Sequence, residues 1–191
     1  MISWCMNMDI KDNKWLREAL DWLLHIGVAV LAGLLIINFV AQRTIVIGFS
    51  MEPTLENGDQ LIIEKLTHRF GKLKQGDIVT IYIPEKLEHG KDYIIKRVIG
   101  VEGDRVQIKD GKVYVNGIRI NEPYTSTDIT LQGESQFNDI VVGDNQIYVL
   151  GDNRLPGASK DSRFMGLIDM KRVKGRAIFR FYPFSKIGTI R

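Results

Sequence analysis

The amino-acid sequence predicts a mainly β protein with antiparallel sheets, preceded by a single N-terminal transmembrane helix. Residues 22–41 contain no charged side chain. From residue 59 onwards, short segments rich in β-branched residues are separated by turn residues, which is typical of an all-β domain. Two turn dipeptides, Asp110-Gly111 and Asn116-Gly117, separate segments of alternating apolar and polar residues, as in β-hairpins.

The composition limits the classes of function that the chain can have. Its 191 residues, 45% apolar and 26% charged, can bury one core beside a membrane anchor. The net charge of +3 is small and basic residues are interleaved with acidic ones, so we expect no nucleic-acid partner. A single cysteine, Cys5, and three scattered histidines, His25, His68 and His89, exclude cysteine catalysis in the β-rich part and predict no metal site and no cofactor.

Residues 22–41 are predicted to cross the membrane. In a helix they reach about 30 Å, the thickness of the hydrocarbon core of a bilayer. A cleaved secretory signal is the alternative, but the preceding residues 1–21 are acidic as well as basic, and the apolar run is longer than such signals carry. A buried helix of a soluble core is disfavoured because the run is apolar on all faces.

The charges that flank this run predict its orientation. Lys11, Lys14 and Arg17 precede it and Arg43 follows it, so the positive-inside rule keeps the N-terminal segment in the cytoplasm. Residues 42–191 then form one β domain outside the cytoplasmic membrane.

The stretch from Gly48 to Leu55 is the first of three that carry candidate chemistry. Ser50 lies near a bend marked by Pro53, because the residue before a proline avoids helical geometry. A serine at such a bend is either a turn residue that bonds its own backbone or a nucleophile. Taken alone, the stretch favours the turn residue.

The second stretch is a strand predicted over residues 93–100. Within it Lys96 and Arg97 point to opposite faces, so one of the two cations must enter apolar surroundings or a cleft. An arginine stays charged there, whereas burial lowers the pKa of a lysine and makes it a base near neutral pH. Lys96 is therefore either an edge lysine that reaches water or, with Ser50 and without a suitable histidine, part of a Ser-Lys dyad.

The third stretch is the loop 151–163, which follows a predicted apolar strand. Its hydroxyls and fixed charges are interpreted as a loop held by its own hydrogen bonds, or as a brace for a catalytic lysine, because Ser159 can bond to an amine. Two ion pairs are predicted within the loop: Asp161 with Arg163, and Asp152 with Arg154.

Other segments complete the predicted β domain. Further strands are predicted over residues 59–65, 76–84, 106–120 (a β-meander) and 173–184. The meander belongs to a small accessory β insertion at about 105–147, and the polar residues 124–139 are interpreted as a surface excursion without chemistry.

Together these stretches resemble the bacterial type I signal peptidases, membrane-bound serine proteases that remove signal peptides from exported proteins. The resemblance covers nearly the whole chain and implies the fold that signal peptidases share with SOS-repressor proteases. It rests on the N-terminal anchor and on four segments: Ser50-Met51-Glu52-Pro53-Thr54-Leu55, Gly76-Asp77-Ile78-Val79, Lys96-Arg97-Val98-Ile99-Gly100 with Gly103-Asp104, and Gly151-Asp152-Asn153-Arg154 with Ser159-Lys160-Asp161-Ser162-Arg163. Their order and combination are more specific than any single segment.

The resemblance implies a role for each site residue. Ser50 is the nucleophile and its backbone N–H an oxyanion-hole donor, Lys96 is the general base, and Ser159 orients the lysine. Residues that support the site are Asp152, Arg154, Asp161 and Arg163. Residues that line shallow apolar pockets, for small side chains one and three positions before the cut, are Val46, Met51, Leu55 and Ile95.

The chain departs from the family pattern at two places. Gly48 stands where some members carry a second oxyanion-hole hydroxyl, so a second donor must be backbone or water. The spacer 155–158 is longer than the usual one, and Pro156-Gly157 can accommodate the extra length as a turn.

We therefore expect a serine endopeptidase that removes signal peptides after Ala-x-Ala-type sites through an acyl-enzyme. Its expected partners are the signal peptides of secretory preproteins, membrane lipid and the secretion machinery. Two alternatives stay open: a membrane-tethered binding module without catalysis, and a self-cleaving Ser-Lys protease of the SOS-repressor type. The second needs an accessible cleavage site and a DNA-binding domain, but Ala32-Gly33 lies inside the apolar run and no helix-turn-helix precedes it.

Overall fold

The computed structural model describes residues 14–67, 73–83 and 92–190. Residues discussed above that lie outside these ranges are Cys5, Lys11, His68 and His89, together with the last residue of the predicted strand 76–84. The described chain divides after Val40 into two compact units.

The first unit is a helix, α1, over Lys14–Leu35, followed by a π-helical stretch over Ile36–Val40. None of the α1 residues is buried, and its length is about 33 Å at 1.5 Å per residue. By length and composition it is the one helix among the described residues that could cross a membrane. Its bounds differ from the predicted span, because the helix already includes Lys14 and because Ala41 begins a strand.

The second unit contains two sheets in which every pairing is antiparallel. The strands of the larger sheet are β1 (Ala41–Ile45), β2 (Gln60–Glu64), β3 (Ile78–Tyr82), β4 (Tyr93–Val101), β9 (Gln146–Leu150), β10 (Ile168–Asp169), β11 (Val173–Tyr182) and β12 (Gly188–Thr189). The strands of the smaller sheet are β5 (Arg105–Lys109), β6 (Lys112–Val115), β7 (Ile118–Arg119) and β8 (Asp139–Val141). The prediction of a mainly antiparallel β fold behind one apolar helix is confirmed.

The strand order explains how distant segments meet. The larger sheet runs β1-β2-β11-β3-β4-β9-β10, with β12 on β11, and the smaller sheet runs β7-β6-β5-β8. The predicted meander is β5-β6-β7, and both of its turns have positive φ at both central residues, at Asp110-Gly111 and Asn116-Gly117. These are the conformations that a two-residue hairpin requires and that Asp, Asn and Gly tolerate.

The buried side chains form three clusters, and two of them position the site. One cluster joins the smaller sheet to β4 and β9 through residues such as Val106, Ile99 and Leu150. Another packs Met51 and Leu55, from the connection between β1 and β2, against Ile78 of β3. The connection that contains Ser50 is therefore anchored on the larger sheet by apolar burial.

Candidate active site

Ser50 and Lys96 lie next to each other although 46 positions separate them in the chain. Ser50 is half-buried in the connection between β1 and β2, whereas Lys96 lies in β4 and is only 2% exposed. Lys96 Nζ donates hydrogen bonds to Ser50 Oγ at 2.6 Å and to the carbonyl oxygen of Ile95 at 3.0 Å. A hydroxyl and an amine at this separation can exchange a proton directly.

The surroundings of Lys96 favour its neutral form. Burial lowers the pKa of Lys96 from 10.5 to about 8, which outweighs the opposing effect of the Asp161 and Asp152 carboxylates, and the Arg163 cation lowers it further. The amine therefore becomes a base only a little above neutral pH.

The Ser50 connection is held in place by the loop that follows β9. Asn153 donates from its backbone N–H to the carbonyl oxygen of Ser50 at 3.1 Å, and from Nδ2 to the carbonyl oxygen of Phe49 at 3.0 Å. A Cβ on Gly151 would lie 2.4 Å from the Ser50 carbonyl oxygen and 2.3 Å from Ser159 Oγ. Only glycine fits at this position, because Ser50 and Ser159 approach it from both sides. No role was predicted for Asn153 from the sequence, although it lies inside the Gly151-Asp152-Asn153-Arg154 motif.

One N–H beside the nucleophile is open and another is occupied. The backbone N–H of Ser50 has no acceptor in the described part of the chain. The N–H of Gly48 donates to Asn57 Oδ1 at 3.0 Å.

The predicted pair of Asp161 and Arg163 forms, with Nε donating to Oδ1 at 2.8 Å and Nη2 to Oδ2 at 2.9 Å. Burial alone would raise the pKa of the Asp161 carboxyl, but hydrogen bonds from Arg163, Gly151 and Ser159, together with the Arg163 charge, hold it below its usual value. Ser159 Oγ donates to Asp161 Oδ2 at 2.8 Å. In this structure Ser159 is therefore bonded to the ion pair, and the two acceptors of Lys96 are Ser50 and Ile95.

The predicted pair of Asp152 with Arg154 is wrong. Asp152 instead accepts two hydrogen bonds from Arg97, at 2.8 and 2.6 Å, and Arg154 pairs with Glu122 at 2.5 Å. Arg97 is 1% exposed, so Lys96 and Arg97 are both buried. From the sequence, burial was expected for at least one of these two cations. These partners could not be predicted from the sequence because they come from other strands and loops.

Residues 124–139 were interpreted as a surface excursion without chemistry, and the start of this segment contacts residues around the site. The Tyr124 ring lies 3.9 Å below the Arg97 guanidinium, a close cation–π contact. Ser126 Oγ donates to Asn153 Oδ1 at 3.1 Å and accepts from the Arg154 N–H at 2.9 Å. The segment thus braces the loop that holds Ser50.

A groove of about 1010 Å³ opens beside Ser50 and Lys96. The predicted pocket residues Val46, Met51 and Ile95 line it, but Leu55 does not. Leu55 is fully buried and belongs to the same core cluster as Met51. Most of the exposed lining is apolar, and the lining includes residues of β1 and of the start of β4.

No group of three or more His, Cys, Asp or Glu side chains within residues 14–67, 73–83 and 92–190 is arranged to hold a metal ion.

Comparison with known proteins decides the family. Residues 19–182 match the family model described as signal peptidase, peptidase S26. The chain belongs to the signal peptidase family, peptidase S26. It is 40% identical to signal peptidase I of Bacillus licheniformis over 93% of this chain and 96% of that protein. It is 39% identical to signal peptidase I T of Bacillus subtilis (strain 168), over 95% and 94%, and 34% identical to signal peptidase IB of Staphylococcus aureus, over 89% and 93%.

Among solved structures, a crystal structure of a signal peptidase I from Enterococcus faecalis V583 is 27% identical, covering 55% of this chain and 96% of that chain with a TM-score of 0.42. The resemblance found in the sequence is confirmed by the family match and the relatives. Membership of the signal peptidase family makes the chain a serine endopeptidase.

Proposed function

We propose that this chain removes signal peptides from exported preproteins, with Ser50 as the nucleophile and Lys96 as the general base. The observation that carries the proposal is the buried Lys96 amine, 2.6 Å from the Ser50 hydroxyl and with its pKa lowered to about 8. Family membership supports the reaction, and this geometry supports the two residues.

The proposed reaction begins with the neutral amine. Lys96 takes the Ser50 hydroxyl proton while Oγ attacks the carbonyl carbon of the residue before the cut. The tetrahedral intermediate then collapses, the carbon–nitrogen bond breaks, and the Lys96 ammonium gives its proton to the leaving amine. Water attacks the resulting ester with Lys96 again as the base, which releases the signal peptide and regenerates Ser50.

The negative charge of the intermediate needs a donor near the attacked carbonyl. We assign this role to the Ser50 N–H. The connection between β1 and β2 positions this N–H together with the attacking Oγ, and the N–H has no acceptor within the described residues. Ser159 orients the lysine in this proposal. Its hydroxyl lies across Gly151 from Ser50 and is fixed by Asp161, so it can accept a hydrogen bond from an amine at the same site.

The groove accounts for a preference for small residues before the cut. A substrate in extended conformation would lie in the groove along residues of β1 and the start of β4, with its scissile carbonyl at Ser50. Val46, Met51 and Ile95 would then line the pockets for its side chains. These pockets have room for small apolar groups, and their apolar walls exclude water from the Lys96 amine.

The location of the protein is part of the proposal. Lys14 and Arg17 precede the apolar part of α1, and Arg43 follows it. We assign the N-terminus to the cytoplasm and residues 42–191 to the outer face of the cytoplasmic membrane. Membrane lipid and the secretion machinery would then be neighbours of the catalytic domain.

The test is cleavage of a synthetic preprotein that carries an Ala-x-Ala site, by the full chain in detergent or lipid. Wild type should cut after the second alanine, and Ser50→Ala and Lys96→Met should lose at least about a thousandfold in kcat/KM. The controls Ser185→Ala and Lys109→Met remove an exposed hydroxyl and an exposed amine. A folded Lys96→Met variant that cuts as fast as wild type would show that another group is the base.

A further inference from the structure

One buried hydroxyl on the wall of the groove has no partner. Thr80 lies in β3, is 6% exposed and lines the groove. Its Oγ1 is buried and forms no hydrogen bond with any group in the described part of the chain. A buried hydroxyl without a partner destabilises the folded protein, so a reason for its presence is needed.

The fold gives no such reason. The other buried residues of β3 are Ile78, Val79 and Ile81, all apolar. Valine has nearly the same shape as threonine and would fill the position without a polar group. A threonine here therefore points to a ligand that supplies the missing hydrogen bond.

The position of Thr80 relative to the catalytic pair suggests which part of a ligand it meets. In the pairing of β3 with β4, Thr80 is opposite Ile95 and Val79 is opposite Lys96. Thr80 is thus one residue pair along the strands from Lys96. Ile95, which also lines the groove, lies in the neighbouring strand about 4.8 Å from Thr80. Rotation about its Cα–Cβ bond between staggered positions exchanges the hydroxyl and the methyl group, so the hydroxyl can turn towards the groove.

We propose that Thr80 is a specificity-determining residue that favours serine over alanine three positions before the cut. The proposal rests on the function proposed above. The first residue before the cut must lie over Ser50, because its carbonyl is attacked there. In an extended chain the third residue points to the same side about 7 Å further along the groove, whose lining includes Thr80. A serine hydroxyl can both donate to and accept from Thr80 Oγ1.

The experiment compares kcat/KM for two peptides that differ only in serine or alanine at the third position before the cut, with alanine at the first. For the full chain in detergent, Thr80→Val should lower the serine-to-alanine ratio about three- to tenfold, the value of one hydrogen bond. Thr80→Ser keeps the hydroxyl and should keep the ratio. Thr189→Val, an exposed threonine of β12 outside the groove, is the matched control and should leave the ratio unchanged.

A second peptide pair varies serine and alanine at the first position, where Thr80→Val should not change the ratio. If Thr80→Val changes the ratio at the first position instead of the third, the proposed role of Thr80 is overturned and the proposed function stands. The same conclusion follows if Thr80→Val still cuts the alanine peptide but changes the ratio at neither position. If wild type cuts none of the peptides, the proposed function itself fails. Thermal unfolding checks that Thr80→Val folds, and Thr80→Ala is a second variant that also lacks the hydroxyl.

Discussion

At the scale of single residues, the burial of Lys96 links the proposed chemistry to stability. The pKa of its amine is about 8 in the folded protein and about 10.5 when the chain unfolds. Between these two pH values the unfolded state binds more protons, so the folded state gains stability as the pH rises through this window. Below the window the buried ammonium costs about 3 kcal/mol, because each pKa unit corresponds to about 1.4 kcal/mol.

Replacing Lys96 with methionine should remove this cost. Near pH 7 the Lys96→Met variant should have a free energy of unfolding up to about 3 kcal/mol larger than wild type, and the difference should shrink towards zero above pH 10.5. Urea unfolding of the full chain in detergent at a series of pH values measures it, with Lys109→Met as the control for the loss of a surface charge. A difference that does not change with pH would mean that the amine is not desolvated.

At the scale of elements, the loop 151–163 sets the electrostatic environment of the amine. Asp161 raises the pKa of Lys96 and Arg163 lowers it, so the cation of the ion pair offsets part of the effect of its carboxylate. The hydrogen bonds between the two side chains keep the pair fixed while both are buried. The loop therefore supplies Ser159 with a carboxylate partner without fully restoring the ordinary pKa of the lysine.

Removing the cation from this pair should shift the pH dependence of cleavage. In Arg163→Gln the Asp161 carboxylate acts on Lys96 without compensation, so the pKa of the amine rises and the ascending limb of kcat/KM should move to higher pH. The variant should also lose about 3–5 kcal/mol of stability, because a buried carboxylate loses its partner. Arg163→Lys keeps the charge and should shift the limb less. An unchanged limb in a folded Arg163→Gln variant would contradict this assignment.

The same loop shows how far sequence reasoning reaches. The apolar run, the hairpin turns, the Ser50-Lys96 proximity and the Asp161-Arg163 pair were predictable, because each follows from local spacing or from a motif. The partner of Asp152 was not, because Arg97 lies 55 positions away and reaches it only when β4 and β9 pair. The unpartnered Thr80 hydroxyl could not be predicted either, since a lack of partners depends on everything that packs nearby.

At the scale of the whole molecule, the catalytic and membrane parts have to be placed relative to the bilayer. Helix α1 has no buried residue and exposes most of its large apolar side chains, which suits lipid and not water. In the topology proposed here from Lys14 and Arg17 and the positive-inside rule, the chain's start lies in the cytoplasm and Ser50 lies outside. Exported proteins would then meet Ser50 on the side of the membrane to which they are delivered.

The single cysteine of the sequence allows this topology to be tested without other changes. Cys5 precedes the apolar run, so a membrane-impermeant maleimide should label it only after the cells are permeabilised. In a Cys5→Ser background, Ser185→Cys places the label on an exposed residue of the β domain and should react in intact cells. A soluble cytoplasmic thiol serves as the control for membrane integrity. Labelling of Cys5 in intact cells, with protection of the Ser185→Cys thiol, would invert the topology and place Ser50 on the cytoplasmic side.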